Sequence, residues 1–186
     1  MCSQGEAWRR ATRHPFLEGV RRGTLRKGTF EAWLAQDNLF VGDLLWFQAR
    51  LLARAPRYAQ RVLAEGALAL VDELAWFDEQ ATQLALDLEV ERLPATRAYL
   101  TLLERLDAEP FEPASTGLWT LERVYLEAWS FAAPAPPPYD VFVEHWTTPK
   151  FRAYVDELAA LADPSHVNIV AAVLAAEVAF WEAALA

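Results

Sequence analysis

The chain has almost no cysteine. Cys2 is the only one, which excludes an internal disulfide framework and a cysteine-based zinc site. Histidine is nearly as scarce: His14, His145 and His166 are scattered, with no spacing of the HExxH kind. Glycine occurs only seven times in 186 residues and proline serves as punctuation, so long helices are expected. Positive charge is short too. Lys and Arg number 17 against 26 Asp and Glu, a net charge of −9. Nucleic acid would be repelled on average, and the one basic cluster, Arg21-Arg22 with Arg26-Lys27, reads as a solvated turn. The opening MCSQGEAWRR lacks the apolar segment of a signal peptide. No apolar run of about 18 residues is free of charge. No nucleic-acid partner and no membrane association are therefore expected, and the expected compartment is the cytoplasm.

Apolar residues are abundant. At 54% hydrophobic, residues 1–186 suffice for one domain with a large core. The helical period runs from end to end. A first helix is predicted from Ser3 to Thr12, and a second restarts at His14-Pro15-Phe16 and runs toward Arg22. Gly23 and Gly28 mark a turn, and Thr29 reads as the cap of a long helix to Arg54. Pro56 opens the next, ending near Leu88, and Pro94 begins a shorter one through Leu106. AEPFEPAST reads as a loop before the helix GLWTLERVYLEAWSFA. The prolines of Ala133–Pro138 form a connector. A short helix follows from Tyr139 to His145. Thr148 caps another through Leu161, and Asp163-Pro164 starts the last. No strand pattern competes. The expected architecture is an all-α bundle of about seven or eight helices.

Within this pattern, carboxylates sit on apolar faces. Phe30, Trp33, Leu34, Phe40 and Val41 mark one face of a helix, and Asp37 lies on it. Glu177 shares a face with Val173 and Trp181, Glu122 with Leu118, Tyr125 and Trp129, and Glu73 with Leu70 and Phe77. A buried, unpaired carboxylate costs on the order of several kcal/mol. Such groups must be protonated, paired or turned toward a wet cavity. Taken singly, three have a plainer reading: Asp37 as a boundary residue or buried cap, Glu122 at the helix edge paired with Arg123 or Lys150, Glu73 on a solvated edge beside Asp72. Taken together, four inward acids imply a polar pocket. Aromatic residues near them would make a flat slot for a planar, nitrogen-rich heterocycle. A di-iron carboxylate centre would need Glu-x-x-His pairs, which are absent. A haem would need an axial histidine, and His14, before Pro15, reads as a capping or positioning residue. No cofactor is expected.

The stretches HPFLEGVRRGTL, from His14 to Leu25, and FEAWLAQDNLFV are similar to the opening of the TenA/thiaminase II family. The likeness continues through PATRAY at Pro94–Tyr99, HWTTPKFRAYV around Trp146 and AAEVAFW around Glu177. That resemblance implies the haem oxygenase-like helical fold and a role in thiamin metabolism and salvage, acting on aminopyrimidine compounds. It implies that Asp37 binds the pyrimidine amino group, that Tyr99 is a pocket tyrosine and that Glu177 shuttles protons. Trp146 falls where many members have a pocket tyrosine, and Phe40 replaces another. The family's cysteine nucleophile is missing, and Glu122 lies at or within a turn of its position, as in the branch where glutamate replaces cysteine (the TenA-E type). Tyr125 falls near the same point.

The expectation is a cofactor-independent hydrolase of a formylamino- or aminomethyl-pyrimidine, with Glu122 and Glu177 catalytic. Asp37, Phe40, Glu73, Phe77, Tyr99, Tyr125, Trp146 and Trp181 would bind the substrate. The alternatives are a non-catalytic binder of the same ligand class and an oxygenase-like member with histidines lining its cavity, for which His14 and His145 are the candidates. A transcription regulator has no support in the charge or the motifs. The resemblance also implies a homo-oligomer, a dimer or tetramer.

Overall fold

The computed structural model describes residues 4–186. Cys2 and the expected helix start at Ser3 lie outside the described residues. Helices α1 (Gln4–Thr12), α2 (Pro15–Arg22), α3 (Lys27–Arg54), α4 (Arg57–Leu84) and α5 (Pro94–Ala108) come first in the chain. They are followed by α6 (Phe111–Ala132), α7 (Asp140–His145), α8 (Pro149–Ala159) and α9 (Val167–Leu185). The fold is all-helical. Nine helices among the described residues exceed the expected count by one.

Local chemistry sets several of the boundaries. The His14 imidazole accepts from the Phe16 N–H at 3.3 Å, and Pro15 takes the first helical position, where a missing N–H costs nothing. Gly23 ends α2 at φ +67°, and a Cβ there would meet Pro136 at 2.6 Å. Thr148 caps α8 as expected, accepting from the Phe151 N–H at 3.2 Å.

Other boundaries differ from expectation. The long helix α3 begins at Lys27 rather than after Thr29, with Arg26 at its cap and no side-chain cap bond. Helix α4 ends at Leu84, where Ala85 turns left-handed at φ 53°. The stretch AEPFEPAST is mostly helix: α6 starts at Phe111, and Pro113 is tolerated because it sits in the first turn. Asp163-Pro164 belongs to a turn in which the Asp163 carboxylate accepts from the Ser165 N–H at 2.9 Å, and α9 starts only at Val167.

Helix α3 lies along α4 and α5, and α6 lies along α8 and α9, which also flanks α1 and α5. The core between them is aromatic. Trp33 sits 5.5 Å from Trp181 and 5.2 Å from Trp129, and Phe16 stacks 5.2 Å from Trp181. Each such side chain contributes roughly 1.5–3 kcal/mol through burial. Between α4 and α5 an extended strap is tied to α3. Gln36 Nε2 donates to the Glu91 carbonyl, while its Oε1 accepts from the Leu93 N–H and the Thr96 hydroxyl. Helix α9 has the length and mean hydropathy, 1.6, of a membrane span. Val173, Leu174, Glu177 and Trp181 on it are nonetheless buried in the bundle.

Candidate active site

A cavity of about 310 Å³ opens among α3, α4, α6 and α8, closed at one side by the end of α7. Phe40, Val41 and Leu44 of α3, Leu70 of α4, Leu121 of α6 and Phe151 of α8 make it largely apolar. Gly66 leaves room in the wall for two neighbouring side chains. A Cβ there would sit 2.2 Å from Gln48 Nε2 and 2.3 Å from the Tyr154 hydroxyl, and Tyr154 also lines the cavity.

Against this apolar wall stand a few polar groups. Glu122 is 6% exposed and lines the cavity. No described group hydrogen-bonds its carboxyl, and neither Arg123 nor Lys150 pairs with it; Arg123 holds Glu127 and Asp156. Burial, and secondarily the charge of Glu73, push the Glu122 carboxyl up to about 8.

Glu73 is not a free edge residue. Its Oε1 accepts from the Trp146 indole N–H at 2.8 Å, and its Oε2 lies 2.6 Å from His145 Nε2. His145 in turn lies flat on Trp76, with ring centroids 3.8 Å apart and planes 3° from parallel. Sequence reasoning misses this partnership, since it offers His145 only as a candidate for an oxygenase pocket. The one signal for it is the spacing of Glu73 and Trp76: three residues apart on α4, they share a face on which something planar and polar can pack.

Behind the wall lies a second set of acids. Asp37, 1% exposed, accepts from the Tyr125 hydroxyl at 2.9 Å. Burial raises the Asp37 carboxyl well above the usual carboxylate range, the Tyr125 bond opposes this, and the charges of Glu177 and Glu73 add to it. Glu177 accepts from the Tyr99 hydroxyl at 2.9 Å through Oε2, while its Oε1 is buried without a hydrogen-bond partner among the described residues. Burial pushes Glu177 up to about 7 against the opposing Tyr99 bond. Burial, together with the charges of Glu177, Asp37 and Glu122, raises the Tyr99 hydroxyl.

The expected site residues therefore fall into three sets. Glu122, Glu73, Phe40, Tyr125 and Trp146 line the cavity. Asp37 and Tyr99 do not line it but touch residues that do, through the Tyr125–Asp37 bond and through Phe40, whose ring centroid is 4.5 Å from that of Tyr99; Glu177 stands one residue further back, bonded to Tyr99. Trp181 and Phe77 stand apart from the cavity wall, contrary to expectation. The Trp181 indole donates to the Ala11 carbonyl at 3.0 Å and its ring is locked into the Phe16–Trp33 stack. Phe77 is fully buried in the main core. His14 serves as the cap of α2.

A model of the TENA/THI-4/PQQC family matches residues 4–186. The chain belongs to this family. It is 32% identical over 166 residues to a Glycine max protein named "Probable bifunctional TENA-E protein", a match covering 82% of this chain and 72% of that one. Among solved structures it is similar to a TenA homologue from Pyrococcus furiosus. The identity is 28% and the TM-score 0.89, over 97% of this chain and 95% of that one. A TenA homologue from P. horikoshii shares the fold at 22% identity with a TM-score of 0.88, over 97% and 93%. This TenA-family chain has no cysteine in α6; the carboxyl that α6 presents to the cavity is Glu122.

Proposed function

We propose that this TenA-family protein is a cofactor-independent hydrolase of a formylamino-pyrimidine, releasing formate and the aminomethyl-pyrimidine in thiamin salvage. Family membership supports a thiamin-related role. The observation that carries the finer reading is Glu122: a buried carboxyl with no hydrogen-bond partner among the described residues, on the wall of an aromatic cavity. A group balanced near neutrality can both take and return a proton. In its ionised form Glu122 removes a proton from water as the water oxygen bonds to the formyl carbon. The carbon–nitrogen bond then breaks, and the same proton passes to the departing amine. No covalent bond to the protein is needed, consistent with the lack of a thiol in α6. Glu177, held by Tyr99, is the acid that exchanges protons with this cycle. Asp37, behind the wall, fixes the Tyr125 hydroxyl, whose oxygen accepts from the ring's amino group, with Phe40, Glu73 and Trp146 bounding the slot.

The test is to follow formate release and, separately, ligand binding by calorimetry. Glu122→Gln is expected to lower kcat by at least about 100-fold while changing the affinity for the aminomethyl-pyrimidine little. An unchanged rate sinks the assignment. Tight binding with no product from the unsubstituted protein identifies a non-catalytic binder instead.

A further inference from the structure

The contacts of His145 go beyond what packing requires. Its ring lies flat on Trp76 and its Nε2 meets Glu73 Oε2, while Trp146 Nε1 takes the other Glu73 oxygen. Both carboxylate oxygens of Glu73 are thereby fixed, from two consecutive residues at the end of α7. Glu73, His145 and Trp146 all line the cavity into which Glu122 projects. A surface ion pair has no need of a stacked ring behind it; a charge that must stay at one place on a cavity wall does.

We propose that His145 is a positioning residue of the site: clamped against Trp76, it holds the Glu73 carboxylate at one place on the wall of the cavity that contains Glu122. This rests on the reading of Glu122 as the proton-handling group. The other charged or titratable groups around Glu122 come from every packed element. Asp37 stands on α3, Asp72 on α4, Tyr99 on α5, Tyr125 on α6, Lys150 and Tyr154 on α8, and Glu177 on α9. Among them the Glu73 charge is the one that raises Glu122 beyond the effect of burial. Lys150 is the one ammonium on the wall among the described residues. With its His145 partner gone, Glu73 is held by Trp146 alone, and its charge can leave the wall.

The test reads Glu122 directly and needs no substrate. Protein labelled with carboxyl-¹³C glutamate is titrated by NMR, with the Glu122 signal assigned from Glu122→Gln. Removing the charge with Glu73→Gln should lower the Glu122 midpoint. His145→Phe keeps a ring on Trp76 but cannot bond Glu73, and should lower the midpoint in the same direction, by about half a unit or more. His145→Gln, which retains a donor, should keep it close to the original. A midpoint that His145→Phe leaves in place, while Glu73→Gln moves it, overturns the proposal, as does a midpoint that neither moves. His145→Gln keeps the test decisive should His145→Phe not fold: a Glu122 midpoint that falls in His145→Gln as far as in Glu73→Gln also overturns the proposal. Formate release measured on the same samples keeps the two ideas apart: a displaced Glu122 midpoint in a protein that hydrolyses nothing upholds the role of His145 and rejects the hydrolase.

Discussion

At the scale of single residues, the site is a set of carboxyls held at different costs. Glu122 has no hydrogen-bond partner among the described residues, Glu177 has one oxygen bonded and one bare, and Glu73 has both oxygens engaged. Burial raises the proton affinity of Glu122 and of Glu177, and at Glu177 the Tyr99 bond opposes it. That acids point inward was legible in the sequence, because helical spacing fixes which face a residue occupies. Which partner each acid finds was not, because Tyr125 and Asp37 are 88 residues apart and Tyr99 and Glu177 are 78 apart. Gly66 is a second residue-scale device. Its missing side chain is the space in which Gln48 and Tyr154 sit, so Gly66→Ala must displace both. The expected result is a loss of about 1–3 kcal/mol in urea unfolding, together with weaker binding of the aminomethyl-pyrimidine. A ligand affinity that stays unchanged would show that this wall is not part of the binding volume.

At the scale of helices, the cavity is only as stable as the elements that carry its walls. Helix α8 brings Phe151 and Tyr154 to the cavity and is capped by one side chain, Thr148. Thr148→Ala removes the acceptor for the Phe151 N–H and should cost about 1 kcal/mol, measured as a lower urea midpoint with an unchanged slope. Thr148 and Pro149 were readable because a cap and a following proline act within one turn. The start of α6 was not: Pro110 and Pro113 resemble a loop, and only the position of Pro113 in the first turn makes it compatible with a helix. The end of α4 is hidden for a related reason. The apolar residues Leu86 and Leu88 continue the helical pattern in composition, yet they belong to the strap after the left-handed Ala85.

At the scale of the whole molecule, the buried acids make stability depend on pH. A carboxyl whose folded-state affinity for a proton exceeds its unfolded value binds more protons folded than unfolded. Glu122 and Glu177 are raised from 4.5 to about 8 and about 7. The penalty for each is absent below about pH 4.5, grows as the unfolded chain ionises and is complete above pH 7 to 8. Stability should therefore fall by on the order of a few kcal/mol per group between pH 5 and 9. Thermal melts across that range should show a declining Tm, and Glu122→Gln should flatten the slope. The overall bundle was legible because its period persists along nearly every segment. The cavity was not, because its shape depends on where five separate elements meet.

Glu122, without a hydrogen-bond partner among the described residues, is central to the proposed hydrolysis as the group that moves the proton. The most direct measurement of that role is kcat/KM for formate release from the formylamino-pyrimidine between pH 5 and 10, for the unsubstituted protein and for Glu122→Asp and Glu122→Gln. The predicted result is a rate that rises through pH about 8 as the carboxyl ionises and then levels off. Glu122→Asp should keep that limb at a lower rate, and Glu122→Gln should lose it. A profile with the same limb in Glu122→Gln would contradict the assignment.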